Sequence, residues 1–443
     1  MFKKLLAFFV AISTLLSGGA VSVIGSTDAE PIAATGRAHV YDADRLLLGA
    51  YCFPKREQNY KTLRKWFRQA GLEFYVGAWG DQLTADDLAW MEKNGIGVFA
   101  PNNAYYHSVE SDAIWGIDYR DEPNAKDFDR LAAGVAAEYE THPDRLPLVN
   151  LFPMYASGEQ LGEISAVPGA RGDSLADGFN TDSIQYRMHV SDYIGKFDSD
   201  VISVDIYPLD VNGETGKKNT YAYWLRNLDI LAEACRKTNR DLWVVTQAAG
   251  NTIEEGGSKR HCDTVEDQRW QNYVSLAFGA KAIIYACYYT GWWDSASHMI
   301  DNAGNRTVTY YAVQRANREL APFAKLYGNY ENHGAVIYNR MNPNAAGAKL
   351  PLTAVAGEYR PAVTTAAPLL CGCFTEKAGS GSAFVFTNMY EPETGRSAAF
   401  TATFAGAKSL TLYRKGKVSV IPGDRLTLTL ENEEGVFVTV SRG

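Results

Sequence analysis

The sequence predicts an α/β protein, a (β/α)8 TIM barrel followed by a small antiparallel β-sandwich. Between residues 45 and 327, short β-rich runs alternate about eight times with amphipathic helical stretches, as parallel strands with crossover helices require. After Gly328, short alternating runs separated by Gly, Pro, Asn and Asp replace this pattern, which is typical of a sandwich. We therefore expect a barrel over residues 37–330 and a sandwich over residues 331–443.

Eight runs are expected to form the barrel: 45–52, 73–78, 96–100, 115–119, 146–151, 201–206, 242–246 and 282–288. The predicted helices span 60–70, 85–94, 127–140, 186–197, 221–238 and 265–279. Thr84 and Thr264 stand immediately before two of these helices, where a hydroxyl caps free backbone N–H groups. A doubly wound open sheet is the alternative, but no Gly-rich phosphate loop follows the first run.

The C-terminal segment predicts eight strands, over 335–338, 369–374, 383–388, 398–404, 409–413, 418–421, 426–430 and 435–440. Residues 342–367 are rich in Ala, Pro and Gly, and we expect them to form a long loop near the junction of the two domains.

Charge excludes one class of partner. The formal net charge is 43 − 51 = −8, so a surface that neutralises phosphates, and with it nucleic-acid binding, is not expected. With 443 residues the chain exceeds one ordinary core, in agreement with two domains.

The N-terminus predicts an export signal over residues 1–25. Lys3 and Lys4 precede an apolar run over 5–16, and small residues follow. The run is short for a membrane span, and no other stretch is apolar enough to cross a bilayer. We therefore expect a secreted or periplasmic protein.

The sequence gives no indication of a metal or a cofactor. The six cysteines are scattered, and Cys52 and Cys287 end apolar runs, so we interpret these two as buried core thiols. Cys371 and Cys373 lie two apart without a second pair, which is unlike a zinc site.

Carboxylates, amides and aromatic residues collect where the predicted barrel strands end. In a barrel these ends form the functional face. Acids and amides bind hydroxyl groups, and aromatic faces stack on sugar rings, so a neutral carbohydrate is the expected ligand. Besides the acids discussed below, the predicted substrate contacts are Tyr51, Trp79, Asn102, Asp121, Asn150, Tyr207, Gln247, Trp292 and Trp293.

Three segments point to a known group of enzymes. Asp121-Glu122-Pro123 follows the fourth strand, Asp205-Ile206-Tyr207-Pro208 lies at the sixth, and residues 278–282 lead into the eighth. With them the chain resembles the clan A glycoside hydrolases, which carry Asn-Glu-Pro-like sequences after strand four, and an exported bacterial branch in which this is Asp-Glu-Pro. The resemblance implies a cofactor-independent hydrolase of O-glycosidic bonds.

The resemblance implies that Glu122 is the proton donor. Such an acid must stay protonated near neutral pH, which burial and the adjacent Asp121 would favour. The alternative is that Glu122 caps the helix that begins near Asn124, where negative charge is favourable.

The second carboxylate departs from the clan pattern, because the clan's nucleophilic Glu at the end of strand seven is Gln247 here. A neutral amide forms no glycosyl ester. We expect Asp205 to replace it as a base, with its carboxyl about 6.5–9.5 Å from that of Glu122, as in inverting enzymes. The alternative is a structural Asp205 that binds loop amides. Glu254, Glu255 and Asp294 are weaker candidates.

Two functions remain open at this stage. The first is an exported glycoside hydrolase acting on a neutral oligosaccharide or polysaccharide. The second is a non-catalytic glycan-binding protein on a degenerate barrel, which the amide at position 247 favours.

Overall fold

The computed structural model describes residues 31–52, 60–77, 82–162, 179–212, 224–249, 258–260, 262–289, 298–346 and 352–443. Its first part is a closed barrel of eight parallel strands, so the predicted TIM barrel is confirmed. The strands are β1 Leu47–Tyr51, β2 Phe74–Val76, β3 Gly97–Pro101, β4 Ile114–Asp121, β5 Leu146–Leu151, β6 Val201–Asp205, β7 Asp241–Gln247 and β8 Ala280–Ala286. Pairing of β1 with both β2 and β8 closes the ring.

The helices surround this ring. They are α1 Tyr60–Gln69, α2 Ala85–Lys93, α3 Ala104–Ser108, α4 Phe128–Thr141, α5 Phe179–Lys196, α6 Trp224–Thr238, α7 Val265–Ala277, α8 Val308–Leu320 and α9 Ala324–Gly328. Thr84 and Thr264 close capping boxes at the starts of α2 and α7, as predicted. Helices α3, α8 and α9 were not predicted from the sequence, and α5 begins earlier than predicted.

An aromatic layer fills the lower part of the barrel. Phe74, Phe99, Trp115 and Trp243 pack against one another inside the ring. Tyr41, from the segment that precedes β1, stacks on Trp115 with ring centroids 5.0 Å apart. Large side chains therefore close the amino-terminal end of the barrel, and the polar groups described below lie at the opposite end.

The C-terminal strands are β9 Tyr330–Tyr338, β10 Ala362–Thr365, β11 Leu369–Glu376, β12 Ser382–Asn388, β13 Ala398–Thr403, β14 Ser409–Arg414, β15 Lys417–Pro422, β16 Arg425–Leu430 and β17 Gly435–Ser441. A six-stranded antiparallel sheet has the order β9-β11-β12-β17-β14-β15, and a three-stranded sheet has the order β10-β13-β16. Side chains of both sheets share one apolar core, which agrees with the predicted sandwich. The predicted loop over 342–367 is wrong in part, because it contains β10 and a 3-10 turn at Gly357–Tyr359. Further 3-10 turns lie at Ala125–Asp127 and Pro392–Thr394.

The larger sheet packs on helix α7 of the barrel. The indole of Trp270 donates a hydrogen bond of 2.9 Å to the carbonyl of Asn388. Glycines permit the close approach: a Cβ at Gly372 would lie 2.3 Å from the carbonyl oxygen of Ala277, and one at Gly435 would lie 2.2 Å from the ring of Tyr273. The two domains therefore meet through backbone contact.

All six cysteines are buried, which confirms the interpretation of Cys52 and Cys287 as core residues. Within the described residues, no helix combines the length and the apolar character needed to span a bilayer.

Candidate active site

A β-bulge in β4 decides which way its acidic side chains face. Asp118 pairs with Leu148 on β5 and Asp121 pairs with Asn150, so β4 has one residue more than β5 between the two pairs. Residues two apart on β5 face the same side, and Leu148 belongs to the barrel interior. Asp118 and Asp121, three apart in sequence, therefore both face the inside of the barrel mouth.

Glu122 follows β4 in a left-handed backbone conformation, with φ of +43°. For a residue other than glycine, this backbone conformation costs about 1–3 kcal/mol. Residues in such conformations concentrate at functional sites. The N–H of Glu122 donates a hydrogen bond of 2.8 Å to the carbonyl of Asn150, which holds the turn. Asn124 caps the following 3-10 turn with its own side chain, so the alternative of Glu122 as the helix cap is wrong.

Asn150, at the end of β5, connects two of the acids. Its amide nitrogen donates to Asp121 at 3.0 Å and to Asp205 at 2.9 Å. Its amide oxygen accepts a hydrogen bond of 2.8 Å from the hydroxyl of Ser203 on β6. The amide is buried and its bonding groups are used within the protein, so Asn150 orients the carboxylates rather than providing the predicted substrate contact.

The carboxyl groups of Glu122 and Asp205 lie close enough for each to shift the pKa of the other. Two neighbouring carboxyl groups can share one proton, since a carboxylate accepts hydrogen bonds and a protonated carboxyl group donates one. The gap of about 6.5–9.5 Å expected of an inverting enzyme stays a prediction. Asp205 also accepts a hydrogen bond of 2.9 Å from Asn150 and one from its own backbone N–H.

The protonation of this pair follows from its surroundings. Burial, together with the charge of Asp121, raises the pKa of Glu122 from 4.5 to about 7. Burial and the neighbouring acids Glu122 and Asp121 raise the pKa of Asp205 well above its ordinary value, and the bond from Asn150 opposes this rise. The pair therefore retains a proton at neutral pH.

Asp118 and two tyrosines complete the mouth. Burial, with a smaller contribution from Asp121, raises the pKa of Asp118 from 3.8 to about 7. Tyr51 lies close enough to Asp118, Asp121 and Asp205 for these charges to add to the effect of burial and raise the pKa of its phenol. Burial and the charge of Asp205 likewise raise the pKa of Tyr207. The sequence analysis missed Asp118 as a site residue.

Two predicted substrate residues bond protein groups outside this cluster. Asn102 bonds the ring of His107 at 2.8 Å and the phenol of Tyr119, and Tyr119 packs on the outer side of β4 against Gly134 of α4. Gln247 ends β7 as predicted, but its buried side-chain amide bonds the backbone of Leu209 and Ala249. A structural role for Gln247 therefore replaces the predicted contact with substrate.

The remaining predictions lie outside the described residues. These are the proposed aromatic contacts and the weaker acid candidates: Trp79, Trp292, Trp293, Glu254, Glu255 and Asp294. Among the residues that are described, no group of three or more His, Cys, Asp or Glu side chains has an arrangement that could hold a metal ion.

Comparisons with known proteins give only distant similarities. No family and no curated protein matches the chain. Among solved structures, a glycoside hydrolase family 5 protein from Bacteroides vulgatus has 9% identity over 91% of this chain and 93% of that chain, with a TM-score of 0.42. Alpha-galactosidase I from Mortierella vinacea has 11% identity over 91% and 98%, with a TM-score of 0.44.

A third similar structure, beta-galactosidase from Bacillus circulans sp. alkalophilus, has 9% identity over 90% of this chain and 99% of that chain, with a TM-score of 0.41. These similarities concern general architecture, which the closed barrel of this chain establishes by itself.

Proposed function

We propose that the protein is a glycoside hydrolase in which Glu122 is the proton donor. One observation carries this proposal: the carboxyl groups of Glu122 and Asp205 lie near each other at the carboxyl ends of β4 and β6 and raise or lower each other's pKa. Barrel enzymes assemble their catalytic groups at this end. A pKa of about 7 leaves Glu122 protonated in a large fraction of molecules at neutral pH, as a general acid requires.

The proposed reaction uses both carboxyl groups. The proton of Glu122 moves to the glycosidic oxygen as the bond from that oxygen to the anomeric carbon breaks. Water attacks the anomeric carbon and transfers a proton to Asp205. Activation of water on the opposite face of the sugar ring needs a separation of about 6.5–9.5 Å between the two carboxyl groups in the complex with substrate.

The substrate that we propose is a neutral oligosaccharide or polysaccharide. The mouth combines acids that accept hydrogen bonds from hydroxyl groups with the aromatic side chains of Tyr51 and Tyr207. We also propose that the protein is exported, because the sequence over residues 1–25 has the pattern of a signal peptide.

Activity assays on substituted proteins test this function. The full chain is incubated with a panel of neutral glycans, and released reducing ends are measured. Glu122→Gln and Asp205→Asn should each lower the rate by about 10²–10⁴-fold. Asp86→Asn, an exposed carboxylate on α2, is the control and should retain full activity. Hydrolysis that is unchanged in Glu122→Gln would contradict the assignment of the acid.

A second candidate function is glycan binding without hydrolysis. Gln247 favours it, because the end of β7 carries a buried amide bonded to backbone where the resemblance places a nucleophile. Calorimetry would then show glycan binding that persists for hours without product. Anomeric products detected by NMR in the same samples would exclude this function and would reveal inversion or retention.

A further inference from the structure

A groove at the junction of the two domains is lined mainly by basic side chains. It encloses about 380 Å³ between α7, α8 and the turn that joins β14 to β15. Its charged residues are Arg269, Arg315, Arg318, Lys415, Glu266 and Glu319. Lys415 is paired with Glu431 at 2.6 Å, so the positive charge that is not balanced comes from Arg315 and Arg318. The chain as a whole has a net charge of −8, so this excess of positive charge is local.

The two carboxylates of the groove are already paired with Arg269. Both oxygens of Glu319 accept hydrogen bonds of 2.8 Å from its guanidinium, and Glu266 lies 3.6 Å from it. Glu319 is also four residues after Arg315 on α8, a spacing at which opposite charges ordinarily pair. Glu319 directs both oxygens to Arg269 instead, and in the described part of the chain Arg315 forms no ion pair with it.

Arg315 and Arg318 are consequently exposed side chains without an internal partner. Within the described part of the chain, neither forms a hydrogen bond or an ion pair. Like charges one helical turn apart repel each other by a few tenths of a kcal/mol. Two neighbouring guanidinium groups with free N–H donors match the oxygens of a carboxylate or sulfate group.

An aromatic ring continues the same face of α8. Tyr311 is 44% exposed and lies four residues before Arg315, so its ring is one turn from the first guanidinium. Arg306 lies over this ring at 5.2 Å. A ring beside cations accommodates a sugar ring next to its acidic substituents, which favours a chain of acidic sugars over a small inorganic anion.

The geometry points to a binding site in this groove for a glycan chain that carries carboxylate or sulfate groups. Arg315 and Arg318 bind the acidic substituents, and Tyr311 contacts a neighbouring sugar ring. The site is on the outer face of the barrel helices, away from Glu122 and Asp205 at the barrel mouth. Binding here is therefore independent of the proposed hydrolysis.

Calorimetry on the full chain tests this site with three probes: polygalacturonate oligomers, dextran sulfate and neutral dextran. The two anionic chains should bind and neutral dextran should not. Arg315→Gln/Arg318→Gln should weaken binding at least tenfold, and added salt should weaken binding of the unsubstituted protein. Lys126→Gln/Arg130→Gln is the control, because it removes two exposed charges from the opposite side of the barrel and should bind as the unsubstituted protein does.

Several results would overturn the assignment. Equal losses in the two double variants would show that net charge alone governs binding. Neutral dextran that binds as tightly as the acidic chains, or a DNA oligonucleotide that binds more tightly through Arg315 and Arg318, would exclude a glycan site of this class. Binding of inorganic sulfate as tight as that of dextran sulfate would also exclude a glycan site. Circular dichroism melting confirms that both variants are folded.

Discussion

The side chain of Asn150 donates a hydrogen bond of 2.9 Å to Asp205 across the gap between β5 and β6. Because the same nitrogen also donates to Asp121, one neutral amide separates two acids that would otherwise face each other without a donor between them. The carboxyl groups in the barrel mouth therefore depend on Asn150 for both orientation and electrostatic relief.

Asn150→Asp should destabilise the fold in a pH-dependent way. The new carboxylate keeps the size of the amide but loses its donors and adds charge, and loss of buried hydrogen bonds costs roughly 1–3 kcal/mol. We expect a larger drop in Tm at pH 8 than at pH 5, since protonation restores one donor. Asn103→Asp is the control, because this exposed side chain caps α3 by accepting two backbone hydrogen bonds that a carboxylate also accepts. An equal drop at both pH values would contradict this account.

The raised pKa of Glu122 predicts the pH dependence of stability. Since the folded pKa is about 7 against an ordinary 4.5, its contribution to stability is fully present below pH 4.5 and is lost as pH rises through 7. Glutamine does not ionise, so Glu122→Gln does not lose stability from this titration. Urea unfolding should show the variant gaining stability relative to the unsubstituted protein between pH 4.5 and 7.

Glu140→Gln, on the exposed side of α4, controls for the substitution in that experiment. If the curves for Glu122→Gln and the unsubstituted protein remain parallel over this pH range, Glu122 does not have the raised pKa.

The positive φ of Glu122 predicts that glycine fits this position better than alanine. Both substitutions remove the carboxyl group, but only alanine keeps the strain of the left-handed conformation. After subtraction of the larger chain entropy that glycine loses on folding, Glu122→Gly should be more stable than Glu122→Ala by about 1 kcal/mol. Chemical denaturation measures this difference, and an Ala variant of equal or greater stability would be inconsistent with the strain.

The close contact of Gly372 with the barrel predicts that a larger side chain at this position would weaken the packing of the sandwich on the barrel. An added Cβ would meet the backbone carbonyl of Ala277 at 2.3 Å, and overpacking of this kind costs about 1–3 kcal/mol. Gly372→Ala should lower Tm and increase proteolysis at the domain junction. Gly357→Ala is the matched control, because no atom lies within 4 Å of its added Cβ, and its Tm should hardly change.

Sequence periodicity predicted most of the barrel because each strand and helix is long enough to show its own pattern. The meeting of Asp121, Glu122 and Asp205 followed from topology alone, since the carboxyl ends of parallel strands share one end of the barrel. Ser203 could have been predicted as a site residue by the same reasoning. It lies two residues before Asp205 on β6, so the two side chains share a face.

Orientation within the site was not predictable from the same patterns. Asp118 and Asp121 differ by an odd number of positions, which in a regular strand puts them on opposite faces, and nothing local in the sequence marks the bulge that reverses this. The direction of the Gln247 amide depends on the backbone of Leu209, which is distant in sequence. Contacts between residues that are distant in sequence leave no periodic pattern in the sequence.

The odd spacing of Asp118 and Asp121 makes the site sensitive to the number of residues between them. Removal of either Tyr119 or Arg120 would remove the bulge and leave the two acids two positions apart in a regular strand, so both would still face the inside of the barrel. Removal of both residues would make the acids neighbours and turn one of them to the outer face. Insertions and deletions are ordinarily accepted near strand ends, but here the loss of two codons would separate the acids, whereas the loss of one would not.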